Sequence, residues 1–132
     1  MPALNTAQLK ALATDLSKFA ASIGDYLNAH GGISDDDYKT LNDASVQIAK
    51  ISENLAITAA DLDFADSQDA FTKLSSVTAD ARIAADELKA EVLALSKGLK
   101  VAAGVLALGL SFASGPGAVL TAAGNLRDAL SA

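Results

Sequence analysis

Few residues in this chain are of types that do chemistry, and their spacing limits what they can do. There is one histidine, His30, and no cysteine. Disulfides, thiolate zinc sites and cysteine nucleophiles are therefore ruled out, and any Ser-His relay must rest on His30 alone. His30 stands just before Gly31-Gly32, at an expected helix C-terminus, where the helix dipole favours an imidazolium. That is the place of an ordinary helix-end residue, with pH sensing as the sharper alternative. The carboxylates are thirteen Asp and three Glu: Glu53, Glu87 and Glu91. A di-iron bundle needs several inward Glu and Glu-x-x-His pairs, which one histidine cannot furnish. Glu87 and Glu91, four apart on one helix face, repel rather than form a site. Asp35-Asp36-Asp37 lacks the Asp-x-Asp-x-Asp-Gly loop and terminal Glu of a calcium site, so capping is its expected role. Asp61, Asp63, Asp66 and Asp69 form an acidic corner that reads as a solvated, helix-capping loop, with weak calcium binding as the alternative. Gly115-Pro116-Gly117 is not a phosphate loop, because no Lys-Ser/Thr follows it. The expectation is a non-enzymatic protein without catalytic residue, metal or cofactor.

The elements that carry these residues follow from composition. Over 132 residues, 51% are hydrophobic and 20% charged, too apolar for disorder and about right for one domain. Sixteen acidic against ten basic residues argue against a nucleic-acid partner, which requires a basic face. Alanine and leucine, both strong helix formers, dominate, and the two prolines stand at Pro2 and Pro116, leaving everything between free of helix breakers of that kind. No stretch shows sustained strand alternation bounded by turn residues. The expected class is all-α: an elongated antiparallel bundle or coiled coil of three long heptad-patterned helices plus an apolar C-terminal helical hairpin. It forms one domain, with residues 1–100 as an amphipathic body and 101–132 as the hairpin segment.

Helix one is expected from about Thr6 to Ala29, capped by Asn5 or Thr6. Leu9, Leu12, Leu16, Phe19, Ile23 and Tyr26 make its three-four seam. Helix two opens with Ser34 as N-cap, Asp37 three residues on, and Ile33 and Tyr38 in the staple positions. Its seam is Leu41, Ala44, Ile48, Ile51, Leu55, Thr58 and Leu62, ending near Phe64. Tyr26 and Tyr38 are expected at the edge of the core. Helix three begins after Asp66 or Ser67, with seam Phe71, Leu74, Thr78, Ala81, Ala85, Leu88, Val92, Leu95 and Leu99. The i,i+4 pairs Asp69–Lys73 and Arg82–Asp86 are expected on its outer face.

After Lys100 the pattern changes. No residue from Val101 to Leu126 is charged, and six of the nine glycines lie between Gly98 and Gly124. The three-four seam continues through Leu99, Ala102, Leu106, Gly109 and Ala113, while Val101, Val105, Leu108 and Phe112 form a second apolar row. A helix apolar on every side is buried, in protein or in lipid. Small residues at Gly104, Ala107, Gly109 and Ala113 permit close approach of a neighbouring helix. Gly115, Pro116 and Gly117 are expected to form a turn into a final amphipathic helix. The pattern allows one unbroken helix from Ser67 to Ser114, about 70 Å long, or a bend at Gly98.

Three readings of this segment follow: the closing helices of an ordinary bundle, an oligomer interface, or a reversible membrane contact. The limb from Val101 to Ser114, at roughly 21 Å, is short against about 30 Å of hydrocarbon, so entry into one leaflet fits better than a plain span. A charged helical body followed by an Ala/Gly-rich apolar hairpin is the general plan of pore-forming and membrane-perturbing helical proteins, an analogy of plan only. The leading expectation is an oligomeric, membrane-associating interaction protein. Its lipid- or partner-contacting residues are Val101, Val105, Leu106, Leu108, Leu110, Phe112, Val119 and Leu120, with Lys97 and Lys100 facing anionic headgroups. The alternative is a soluble module that self-assembles or binds a helical partner through the same segment. Met1–Leu12 lacks the basic start and apolar run of a cleaved signal, which leaves a cytoplasmic protein or one exported without such a signal.

Overall fold

The computed structural model describes residues 3–29 and 31–131, so the expectation for His30 lies outside the described residues. The fold is an all-α bundle of five helices: α1 Thr6–Ala29, α2 Asp35–Thr58, α3 Ser67–Lys89, α4 Leu95–Ser111 and α5 Pro116–Ser131. The first three begin where cap chemistry places them. The Asn5 side chain accepts the Gln8 amide at 2.8 Å while Gln8 Oε1 accepts the Asn5 amide at 3.0 Å, a reciprocal box that opens α1. Ser34 accepts the Asp37 amide to start α2, and Asp66 accepts the Asp69 amide to start α3. Three aspartates in the first turn of α2 meet the positive end of its dipole.

The expected seams of α1 and α2 become the core. Leu9, Leu12, Leu16, Phe19, Ile23 and Tyr26 are buried, as are Leu41, Ala44, Ile48 and Leu55. Tyr38 is exposed, so it is Ile33 alone of the staple pair that packs on the core. The second helix ends at Thr58 rather than near Phe64. Phe64 instead turns inward from the loop, where Ala3 and Asp63 form an isolated antiparallel bridge.

Helix α1 packs against both α2 and α3, α2 against α4, α4 against α5, and α5 against α3, so the five helices close a ring around one core. Polar contacts fix the register of α1 on α3. Asp15 accepts from Thr78 at 3.0 Å and from Arg82 at 3.3 Å, Ser22 donates to Asp86 at 2.7 Å, and Lys89 meets Asp25 at 3.2 Å. Because these numbers rise together, α1 and α3 run parallel. They also correct one expectation: Arg82 and Asp86 do not pair with each other but each reaches α1. Asp69–Lys73 does form, at 3.1 Å on the surface.

The largest departure lies beyond α3, which neither continues to Ser114 nor bends at Gly98. It stops at Lys89, and α4 begins at Leu95. The link is a Schellman motif: the Val92 amide donates to the Glu87 carbonyl at 2.8 Å and the Glu91 amide to the Leu88 carbonyl at 3.1 Å. Such a motif wants glycine in its left-handed position, and here that position holds Glu91, at φ 64°.

Candidate functional site

The uncharged C-terminal segment folds as the α4–α5 hairpin, and its inner face completes the core. Val101, Val105, Leu108, Phe112 and Val119 are buried, Leu106 is half-buried, and Leu110 and Leu120 are exposed at 53% and 38%. The first five thus contact the chain's own core in this state, and only the last three reach the surface. Each large buried side chain stabilises this arrangement by about 1.5–3 kcal/mol. Two glycines allow the close fit. A Cβ on Gly104 would come within 3.0 Å of Leu126 Cδ1, and one on Gly109 within 2.9 Å of Ile51 Cδ1. These are the two expected small residues that meet a neighbouring helix, whereas Ala107 and Ala113 face outward.

The turn between the helices lies earlier than Gly115-Pro116-Gly117 suggests, over residues 112–115. Gly115 alone takes a positive φ, 120°. Pro116 opens α5, where its missing amide costs nothing, and Gly117 lies inside the first turn. The expected turn at Gly115, Pro116 and Gly117 is therefore corrected to a four-residue link, 112–115, of which Gly115 alone belongs to the expected three.

Burial accounts for one face of the hairpin only. On α4, Ala103, Ala107 and Leu110 are exposed and Leu99 and Leu106 half-buried, and Ala113 is exposed just beyond its end, so from Val101 onward the outer face is as uncharged as the inner. On α5, Gly117, Leu120, Thr121 and Asn125 are exposed and uncharged, and the exposed charges Arg127 and Asp128 follow only toward its end. A shallow groove beside this face runs between Lys50, Ile51 and Asn54 of α2 and Gly109, Leu110 and Ala113 at the end of the α4 limb. Lys97, half-buried, and Lys100, exposed, stand at the start of α4. At 17 residues and about 25 Å, α4 falls short of a bilayer core, and no helix among the described residues is long and apolar enough to cross a membrane.

The attachment of the hairpin differs from the rest in kind. Among the described residues, no side-chain hydrogen bond or ion pair joins α4 or α5 to α1, α2 or α3. The link itself is locally unfavourable. A left-handed Glu91 costs about 1–2 kcal/mol relative to glycine. Ala94, the N-cap of α4, has no side-chain acceptor for the free amides of the first turn, a loss of about 1 kcal/mol against a Ser or Asp. Sequence reasoning missed this joint because Ala90-Glu91-Val92-Leu93-Ala94 contains no glycine, proline or capping residue.

Among the described residues no group of His, Cys, Asp or Glu gathers to hold a metal ion, and no buried side-chain polar atom lacks a partner. The acidic corner is spent on structure: Asp66 caps α3, Asp69 pairs with Lys73, and Asp63 bridges Ala3. What the fold defines is a class, a helical bundle whose C-terminal hairpin is uncharged from Val101 to Leu126. No protein-family model, curated protein or solved structure matches the chain.

Proposed function

We propose that the protein is a non-enzymatic helical interaction protein that associates with membrane through its α4–α5 hairpin. One observation carries this reading: from Val101 to Leu126 the outer surface of the hairpin is uncharged although the bundle does not bury it. A helix that only closes a bundle carries charge on its solvent side. Here the uncharged surface covers both helices and the turn between them, which suits an apolar phase better than a single docked helix. The length of α4 fits shallow entry into one leaflet. Lys97 and Lys100 add about 1 kcal/mol each near anionic headgroups.

The second reading is a soluble module in which the same surface meets protein, either another copy or a helical partner. The groove lined by Ile51, Gly109 and Leu110 favours it, because small residues at its edge admit a closely packed helix. Flotation with phosphatidylcholine/phosphatidylglycerol vesicles, after sizing by light scattering, separates the two. The wild-type chain should float, and Leu110→Asp with Leu120→Asp should abolish flotation while leaving helicity and melting temperature unchanged. Failure to float, with an oligomer that the double variant dissociates, assigns the surface to protein contact. A monomer indifferent to vesicles overturns both readings.

A further inference from the structure

We infer that α3 and α4 are the two halves of one helix, held bent in this fold, and that straightening at Glu91 is how the hairpin leaves the bundle. The row Phe71, Thr78, Ala85 on α3 continues in steps of seven through Val92, Leu99 and Leu106, without a charged residue. A helix unbroken from Ser67 to Ser111, about 68 Å long, would keep all of these on one face. In the bent fold Thr78 and Ala85 are buried, Val92 is 73% exposed, and Leu99 and Leu106 are half-buried at the edge of the core. A second row, Leu74, Ala81 and Leu88, runs on in the same steps through Leu95, Ala102 and Gly109, and a third, Ala70, Val77 and Ala84, resumes after Glu91 in Gly98, Val105 and Phe112. The buried face of α3 is thus continued in register by apolar and small residues of α4, across the bend.

The joint points the same way. Its five residues are ordinary helix-compatible types, its left-handed position holds Glu91 rather than glycine, and the α4 start is uncapped. Local preference and global fold conflict at this one place, the mark of an element with two arrangements. What holds the bend is apolar burial of the inner face of α4, with no side-chain hydrogen bond or ion pair from the hairpin to α1–α3 among the described residues. An apolar phase can replace that burial. This inference rests on the membrane reading above, since lipid is what would take up the released face.

The chain has no cysteine, so Ser76→Cys and Ala107→Cys, both at exposed positions, give one clean spin-label pair. In the bent fold α4 runs back along α3, with the labels on helices that face each other across the bundle, about two helix diameters or roughly 20 Å apart; in the straight helix 31 residues separate them by roughly 46 Å. Electron-electron resonance should give the short distance in buffer and add the long one with phosphatidylcholine/phosphatidylglycerol vesicles. Leu95→Pro fits the first turn of α4, behind an extended Ala94 at φ −66°, ψ 143°, but cannot sit inside a continuous helix. It should cut the ratio of long to short populations about a hundredfold. Glu91→Gly, which relaxes the bend, should cut it about tenfold. A short distance alone with vesicles overturns the inference. If the chain nevertheless floats, the membrane reading stands without it; if it does not float, both fall. A long population that neither substitution reduces assigns the opening to another joint and overturns it as well.

Discussion

The α1–α3 pair and the α4–α5 hairpin are both packed into one core, yet they are fastened differently. Between α1 and α3 the apolar seam is crossed by directional contacts: Asp15 to Thr78 and Arg82, Ser22 to Asp86, Asp25 to Lys89. On the other flank of α1, Ser45 donates to the Ala20 carbonyl at 3.0 Å and ties α2 down. Among the described residues no side-chain hydrogen bond or ion pair ties the hairpin to α1–α3, and apolar packing holds it there. Directional contacts specify one register and hold it in any medium that leaves them paired. Apolar burial is non-directional, and its strength depends on what surrounds the protein. One part of the molecule is therefore fixed in register by directional contacts, and the other rests on a term that varies with the medium.

Substitutions can break this contrast or sharpen it, beginning with the deepest. Phe112→Asp places an unpaired charge in the core and should unfold the bundle outright, whereas Phe112→Ala should cost about 3–5 kcal/mol in denaturant melts. A comparable loss from Leu110→Ala, at an exposed position, would contradict the two-faced description of α4. Gly109→Val should cost about 1–3 kcal/mol, because the added carbons meet Ile51. That loss should be recovered by Ile51→Ala in the same chain, a double-mutant cycle in which simple additivity would deny the contact. Asp15→Ala takes the acceptor of Arg82 and leaves Thr78 only the Ser75 carbonyl, and should cost about 1–2 kcal/mol, less than an equally central apolar truncation because Arg82 is 40% exposed. Exchange of Lys73 for Ala, at an exposed pair, should stay within about 0.5 kcal/mol by the same melts.

How much of this was legible beforehand depends on whether the signal is local. Ser34 and Asp66 were readable as caps because a cap is a side chain bonding its own helix three residues on. The seams of α1 and α2 were readable because burial follows periodicity when one face is apolar. Leu108 and Phe112 could be placed in a buried row, but not assigned to protein or lipid, since an all-apolar helix looks the same in both. Arg82 and Asp86 satisfied the i,i+4 spacing and still paired elsewhere, because cross-helix partners on α1 offered a less exposed site than each other. The joint at Ala90–Ala94 was illegible for a deeper reason. Its residues favour helix, and the bend is imposed by the burial of the α4 inner face against α2 and α5, a tertiary term that no local pattern records.

The ring order of the helices has a consequence for synthesis. Everything that fixes the register of α1 on α2 and α3 lies before Ala90, and the partners of α4 and α5 lie upstream of them in the chain. During synthesis, which proceeds at about 5–20 residues per second, the polar-fastened helices leave the ribosome before the first uncharged residue of the hairpin does. The apolar segment therefore emerges beside an acceptor surface already made, and the interval in which it is exposed to other chains is short.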